Sequence, residues 1–227
     1  MKVMSWNCNM QFRKDFEHIN KAHADLIIIQ ECEKLASNYY DGFNFHWVGH
    51  NEKKGLGILT KSESLFEKDL YRNDLIHFLP VSNKDFAVLG VWAFNSRGRE
   101  KILNGSGYIL EALEHYGSWL KTHKNVVVAG DFNNAPQWDI PGHKNNFVEI
   151  NQVLNSLNLS SAYHEFTQED FGKESVFTHF HQRNEAKRFH IDYIYSNFNH
   201  ISSIEVGTYS DFKNLSDHVP ISAVLED

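Results

Sequence analysis

Side chains that can bind a metal ion or transfer a proton lie at the ends of several short apolar segments of this chain. They are Asn7, Glu31, Asp131, Asn133, Asp192, Asp217 and His218. Carboxylate and amide oxygens are ligands that Mg²⁺ accepts, and carboxylates and imidazoles can take up or give a proton. Each residue alone is typical of a turn or a helix cap. Their joint occurrence predicts one catalytic rim, because the exposed ends of buried strands converge at the edge of a sheet.

The apolar segments that would position these side chains have the length and the β-branched content of strands. Strands are predicted at residues 2–8, 26–30, 57–60, 86–94, 126–130, 176–180, 191–195, 204–209 and 219–225. Helices are predicted from amphipathic spacing at residues 12–24, 108–121 and 147–157. Several strand-to-strand connections are too short for a crossover helix. Mixed sheets packed together, with helices outside, therefore fit better than a purely parallel sheet.

Length and composition predict a single domain over residues 1–227, because this length suits one well-buried core. The net charge of −7 is mildly acidic and does not by itself indicate a nucleic-acid binder. Cys8 and Cys32 have no C-x-x-C partner and are interpreted as core thiols. The apolar runs are short and the N-terminus turns polar early. We therefore expect a cytoplasmic protein without a membrane partner, and a monomer by default.

The polar motifs together resemble those of the endonuclease/exonuclease/phosphatase superfamily, also called DNase I-like, and are closest in style to its exonuclease III-like members. The segments that carry the resemblance are Ser5-Trp6-Asn7, Gln30-Glu31, Gly55-Leu56-Gly57-Ile58-Leu59, Gly130-Asp131-Phe132-Asn133, Ile191-Asp192-Tyr193-Ile194 and Ser216-Asp217-His218-Val219-Pro220. They span nearly the whole chain. The resemblance implies a four-layered α/β sandwich, in which two mixed β-sheets pack face to face with helices outside.

The resemblance also implies a division of roles among the polar residues. Asn7, Glu31 and Asp217 would hold Mg²⁺, for which Mn²⁺ could substitute. Asp131 would orient and deprotonate the attacking water, and Asn133 would donate a hydrogen bond to a phosphoryl oxygen. His218, as an imidazolium, would donate to another phosphoryl oxygen, while Asp192 would accept from its second ring nitrogen. At this stage either Asp131 or His218 can be the base.

Candidate substrate contacts come from aromatic and basic residues near these motifs. Trp92 stands where the superfamily often carries a His or Tyr, and it is either a packing aromatic or a stacking surface for a base. Two groups, Arg97 with Arg99 and Phe180 with Arg183 and Arg188, form either a nucleic-acid groove or solvated surface loops. The pair His179 and His181 allows incidental metal binding.

The leading interpretation is a Mg²⁺-dependent nuclease that hydrolyses DNA or RNA, at ends or in single strands, by in-line attack of an activated water. A phosphatase or phosphodiesterase that acts on a small or lipid-linked phosphoester is the first alternative, because it needs no basic groove. An inert binding module that kept the fold is the second.

Overall fold

Among the residues that the structure describes, the strands form two six-stranded sheets and a short two-stranded ribbon. The computed structural model describes residues 1–35, 40, 42–75, 77–94 and 108–227. The strands are β1 (Lys2–Asn7), β2 (Leu26–Cys32), β3 (Asn44–Asn51), β4 (Lys54–Thr60), β5 (Leu65–Phe66), β6 (Phe78–Ser82), β7 (Phe86–Trp92), β8 (Asn125–Asp131), β9 (Ser160–Ser161), β10 (His179–Phe180), β11 (Arg188–Phe189), β12 (Asp192–Ser196), β13 (His200–Val206) and β14 (Ile221–Glu226). The helices are α1 (Phe12–Asn20), α2 (Ile109–Leu120), α3 (Phe147–Ser156), α4 (Ala162–Thr167) and α5 (Tyr209–Phe212).

Both large sheets are mixed. The first has the strand order β13-β14-β1-β2-β4-β3, and the second has the order β5-β6-β7-β8-β12-β9. β1 pairs with β2 in parallel, and β7 pairs with β8 in parallel. The other pairings are antiparallel, such as β1 with β14 and β8 with β12. The ends of β1, β2, β8 and β12 carry most of the predicted site residues.

Buried apolar side chains form three clusters. One core lies between the sheets, where Val3 and Ile28 of the first sheet share a cluster with Val88 and Val127 of the second. α1 covers the outer face of the first sheet, and α2 and α3 cover the outer face of the second. The four-layered α/β sandwich predicted from the sequence is therefore confirmed. Within the described part of the chain, no helix has the length and apolar character needed to cross a bilayer.

Several predicted elements have different bounds in the structure. The helix predicted at residues 12–24 ends at Asn20, because the chain turns at His23, whose φ is +53°. The strand predicted at 176–180 is reduced to β10. The strand predicted at 204–209 ends at Val206 because Tyr209 begins α5. The strand predicted at 219–225 begins only at Ile221, since Pro220 has no N–H to donate to a ladder.

Two strands of five or more residues were missed for physical reasons, and so were the two-residue strands β5, β9 and β11. β3 is an edge strand, and most of its residues are partly exposed, so its polar and apolar residues do not alternate clearly. β6 contains Pro80, which argues against a central strand. Its neighbour β5 pairs only beyond this residue, at Leu65↔Ser82 and Phe66↔Val81, so the missing N–H of Pro80 costs no ladder bond on that side.

Candidate active site

The end of β8 is bent so that Asp131 lies between the two sheets. Gly130 has a φ of +150°, and a Cβ at this position would lie 1.8 Å from the carbonyl oxygen of Val91 on β7. Only glycine allows this close approach of two backbones. In the next register position Asp131 pairs with Trp92 on one side and with Asp192 on the other. Asp131 is fully buried as a result.

Asp131 accepts hydrogen bonds from both sheets. The Nδ2 of Asn7, at the end of β1 in the first sheet, donates to Asp131 Oδ2 at 3.0 Å. The backbone N of Asn133 donates to Oδ1 at 2.8 Å, and its Nδ2 donates to Oδ2 at 3.0 Å. Asn133 has a φ of +46° and also donates to the carbonyl oxygen of Ala93 at 3.0 Å. These bonds orient the carboxylate. They also engage both Nδ2 hydrogens of Asn133, so the predicted hydrogen bond from Asn133 to a phosphoryl oxygen stays a prediction.

His218 lies between two carboxylates. Its Nδ1 is 2.9 Å from Asp192 Oδ2, and its Nε2 is 3.9 Å from Asp131 Oδ2. Asp192 is held in turn by its own backbone N, which donates to Thr178 Oγ1 at 3.1 Å. Ser216 Oγ donates to the carbonyl oxygen of Asn7 at 2.7 Å and accepts from the backbone N of His218 at 3.0 Å. The structure therefore brings the four predicted catalytic residues together.

The pKa values of both His218 and Asp131 are raised in this buried cluster, for different reasons. Burial lowers the pKa of His218, but the charges of Asp192 and Asp131 outweigh burial and raise this pKa to about 10. Burial raises the pKa of Asp131 to about 7, against the opposing charge of His218. Around neutral pH the imidazole thus carries a proton, while Asp131 is poised to accept one. A base with a pKa near the working pH is well matched to proton abstraction.

The predicted metal ligands lie beside this cluster and have different neighbours. Gln30 and Cys32 of β2 pair with Leu56 and Gly55, so Glu31 between them is the extra residue of a bulge, with a φ of +58°. Its carboxylate reaches Lys54 Nζ at 2.9 Å. Asp217 Oδ2 lies 3.6 Å from the Nε2 of His179.

Asn7, Glu31 and Asp217 are compatible with a hard divalent cation. Asn7 pairs with Gln30 in the parallel register of β1 and β2, which places it next to the bulge at Glu31. Burial raises the pKa of Asp217, but its histidine neighbours outweigh burial and lower this pKa to about 2, so the carboxylate is ionised. Amide and carboxylate oxygens are the donor set that Mg²⁺ prefers.

A second possible cation site overlaps the catalytic cluster itself. Among the residues that the structure describes, Asp131, Asp192 and His218 form a group of metal-capable side chains whose ligand atoms lie within 4.8 Å of one another. A cation bound by all three would compete with the bond between His218 and Asp192. We therefore favour Asn7, Glu31 and Asp217 as the ligands.

The predicted substrate contacts differ in exposure. Trp92 is only 5% exposed and stacks on His77 at 4.2 Å between ring centroids, which favours the packing interpretation. Phe180 is also buried, 4.7 Å from the ring of Tyr209. Arg183 and Arg188 are exposed on the ribbon that β10 and β11 form. Arg97 and Arg99 lie outside the described residues.

The ribbon adjoins the cluster directly. Phe180 N donates to the carbonyl oxygen of Asp217 at 2.7 Å, and His179 forms an antiparallel bridge with His218. The guanidinium of Arg188 lies 4.5 Å from the ring centre of Phe177. Arg188 is paired with Phe180, so its side chain lies on the face of the ribbon opposite to His179, which contacts His218. Arg183 donates to the carbonyl oxygen of Leu215 at 3.4 Å. The structure therefore does not bring the two predicted arginines into the catalytic cluster.

Three residues near the site were not predicted from the sequence. Thr178 accepts from the backbone N atoms of Ile191 and Asp192, and Lys54 pairs with Glu31. His179, which the sequence offered only as half of an incidental metal-binding pair, has its ring 4.5 Å from that of His218, at an interplanar angle of 40°. Only Lys54 carried a usable signal, because it directly precedes the Gly55-Leu56-Gly57 motif.

Comparisons with known proteins agree with this geometry. Solved structures similar to the protein include the 3′-5′ exonuclease NExo from Neisseria meningitidis, with a TM-score of 0.75 and 18% identity. The 3′ phosphatase NExo from Neisseria bound to product DNA hairpin has a TM-score of 0.73 and 18% identity. An AP endonuclease from Archaeoglobus fulgidus has a TM-score of 0.72 and 15% identity. Each structural alignment covers 100% of both chains, which shows that the fold is shared.

A search of curated proteins gives no significant match to the sequence. A model of the endonuclease/exonuclease/phosphatase family matches residues 4–218, a span that contains every polar residue of the site. The buried cluster of Asp131, Asn133, Asp192 and His218, at the ends of strands from two facing sheets, lies within that match. The chain belongs to the endonuclease/exonuclease/phosphatase family, whose members hydrolyse phosphoester bonds.

Proposed function

We propose that this protein is a Mg²⁺-dependent phosphodiesterase that hydrolyses phosphodiester bonds of nucleic acids. The observation that carries the proposal is the position of His218. Its imidazole is bonded to Asp192 at 2.9 Å and faces Asp131 at 3.9 Å. At this distance a protonated imidazole and a carboxylate with a pKa of about 7 can contact the same phosphodiester and its attacking water from one side.

The residues divide the reaction between them. Asp131 takes the proton of a water molecule whose oxygen forms a bond to phosphorus, while the bond to the leaving sugar oxygen breaks. The leaving oxygen takes a proton from solvent. The Nε2–H of His218 donates to a non-bridging phosphoryl oxygen and stabilises the charge that develops there. Asn7 and Asn133 hold Asp131 in place throughout.

Asn7, Glu31 and Asp217 would hold the cation at the same rim. When bound, a divalent ion neutralises phosphoryl charge and helps to orient the phosphodiester. Mn²⁺ also accepts this oxygen donor set and is expected to replace Mg²⁺. Asp217, with its pKa lowered to about 2, is ready to bind a cation at any neutral pH.

A nucleic acid is the substrate class that the surroundings favour. Arg188 is exposed on β11 and Arg183 on the turn between β10 and β11, in a ribbon whose backbone is bonded to Asp217, and basic residues on this part of the surface suit a polyanionic substrate. The similar structures named above as a DNA-bound phosphatase and an AP endonuclease also favour a nucleic acid. The net charge of −7 argues against tight binding of a long duplex and favours ends or single strands.

A panel of substrates tests this proposal. The metal-free protein is supplied with Mg²⁺ or Mn²⁺ and incubated with labelled single-stranded DNA, duplex DNA, duplex with an abasic site, RNA, a 3′-phosphorylated oligonucleotide and bis-p-nitrophenyl phosphate. We expect metal-dependent cleavage of at least one oligonucleotide. Asp131→Asn and His218→Ala should each lower turnover about 10²- to 10⁴-fold.

The alternatives give different outcomes in the same panel. Hydrolysis of the small diester alone would exclude the nuclease and favour a phosphodiesterase of small substrates. Release of phosphate only from the 3′-phosphorylated oligonucleotide would identify a phosphatase. Absence of hydrolysis with either metal would exclude an enzyme and favour the inert binding module.

A further inference from the structure

Lys54 lies at the junction between the metal side and the phosphoryl side of the site. It is the first residue of β4 and pairs with Asn51 across a two-residue turn. Its Nζ is 2.9 Å from Glu31 Oε2 and 5.3 Å from the centre of the Trp92 ring. Trp92 is in register with Asp131 on the neighbouring strand. Lys54 thus lies between a predicted metal ligand of one sheet and β7 of the other, the strand next to the one that carries Asp131.

The bulge at Glu31 creates this contact. A regular β2 would place successive side chains on opposite faces of the sheet, whereas the extra residue redirects the Glu31 carboxylate toward the start of β4. The positive φ of Glu31 is unusual for a residue with a side chain, and such strain is concentrated at functional sites. The bulge therefore presents the carboxylate to a cation, and in the protein alone that cation is Lys54.

Lys54 also supplies a charge that the neighbouring aromatic residues cannot. Trp92 has one N–H donor and cannot carry a proton. Burial, together with the charges of His50 and Lys54, lowers the pKa of His77, which stacks on Trp92, to about 3, so His77 is neutral. The side chain of Lys54 is 38% exposed, so its flexible stem can move the ammonium toward an incoming anion.

We propose that Lys54 is a substrate-positioning residue that occupies the Glu31 carboxylate until a divalent cation displaces it, and that the released ammonium then binds a non-bridging oxygen of the scissile phosphate. The inference rests on the proposed function and adds a residue to that site. It has two consequences that can be measured separately. Lys54 opposes metal binding to the free protein, and it contributes to binding of the phosphate in the loaded protein.

Two variants of Lys54 and a matched control separate charge from packing. Lys54→Met keeps the apolar stem over Trp92 and removes the charge, and Lys54→Arg keeps a cation. Lys34→Met is the control, because Lys34 makes the same pair of contacts elsewhere. Its Nζ is 3.1 Å from Glu52 Oε1 and 5.9 Å from the centre of the Trp47 ring.

The first readout is the affinity for Mn²⁺ alone, measured by the electron paramagnetic resonance signal of free Mn²⁺ without substrate. Removal of one competing cation should tighten Mn²⁺ binding about 2- to 5-fold in Lys54→Met. The second readout is kcat and KM on the oligonucleotide that the wild-type protein cleaves fastest. Loss of a charge-assisted hydrogen bond should lower kcat/KM of Lys54→Met about 10- to 100-fold.

Lys54→Arg should retain most of the wild-type kcat/KM, and Lys34→Met should match wild type in both readouts. An unchanged Mn²⁺ affinity or an unchanged kcat/KM in Lys54→Met overturns the inference, and so does an equal effect in Lys34→Met. If the wild-type protein cleaves no phosphoester, the proposed function fails instead. The Mn²⁺ comparison then still decides whether Lys54 competes with the metal.

Discussion

The substitution Asp192→Asn removes one negative charge from the centre of the site and little else. Asn and Asp have nearly the same shape, and an amide oxygen can still accept from His218 Nδ1, now at 2.9 Å from Asp192 Oδ2. The other carboxylate oxygen, Asp192 Oδ1, is buried without a hydrogen-bond partner among the described residues, so an amide nitrogen there displaces no protein contact. The variant therefore tests the charge.

The stability effect follows from the pKa of His218. Neighbouring carboxylates raise this pKa from an ordinary value of 6.5 to about 10, and Asp192 is the largest favourable contributor. One pKa unit corresponds to about 1.4 kcal/mol, so protonation of His218 stabilises the folded protein by about 4 kcal/mol at pH 7. Loss of the Asp192 charge should remove a large part of this stabilisation, because Asp192 contributes most to the raised pKa of His218.

The pH dependence has a definite sign. Because the folded pKa of His218 lies above the unfolded value, its stabilisation is complete below pH 6.5 and is lost as pH rises through about 10. The difference in unfolding free energy between wild type and Asp192→Asn should therefore be largest near pH 6 and vanish near pH 10. Urea denaturation in EDTA at pH 6, 8 and 10 measures it.

Turnover gives the second half of the test. Without Asp192 the imidazole loses its proton near neutral pH, and kcat should fall about 10²- to 10⁴-fold. The control is Glu174→Gln, which removes a carboxylate 3.1 Å from the buried His164 outside the site. It should lower stability and leave kcat unchanged. The reasoning is refuted if Asp192→Asn keeps more than about a tenth of wild-type kcat, or if its stability loss does not depend on pH.

Further predictions concern the backbone, a second histidine and the amide beside the base. Gly130→Ala should lower the unfolding free energy by about 3 kcal/mol or more and lower kcat, because its Cβ would overlap the carbonyl of Val91 and force β7 and β8 apart; urea denaturation and kcat measure both. Burial lowers the pKa of His190 to about 4, so its contribution to stability is complete above pH 6.5 and is lost as pH falls through 4. Urea midpoints at pH 7 and pH 5 should differ in the wild type and differ less in His190→Gln, and an equal difference would contradict this assignment. Asn133→Ala removes a donor to the Asp131 carboxylate, which should lower kcat about 10- to 100-fold with KM little changed; an unaltered kcat would exclude this role.

The sequence contained most of what fixes the catalytic cluster. Asp131, Asp192 and His218 each follow or begin a short apolar segment, and strand ends converge wherever the segments form one sheet or two facing sheets. The order of the motifs carried the resemblance to the family and hence the four-layered architecture. Pairing of β8 with β12, which brings Asp131 and Asp192 together, was not predicted and comes from the structure.

Other features depend on contacts that local sequence does not encode. The bulge at Glu31 is a mismatch between two strands and therefore needs the register of β4 as well as that of β2. Burial of Trp92 depends on His77, which is fifteen residues away in the sequence and stacks on it through β6 and β7 pairing. The edge strand β3 lacks clear alternation because one face meets solvent.

The most direct test of the central claim is a metal titration of turnover. Protein stripped with EDTA is mixed with a labelled single-stranded oligonucleotide, and Mg²⁺ is added stepwise while cleaved product is measured. His218→Ala, prepared in the same way, serves as the protein blank. The account predicts no cleavage before Mg²⁺ is added, saturable recovery afterwards, and turnover about 10²- to 10⁴-fold lower in the variant. Cleavage that is independent of metal, or equal cleavage by His218→Ala, would contradict it.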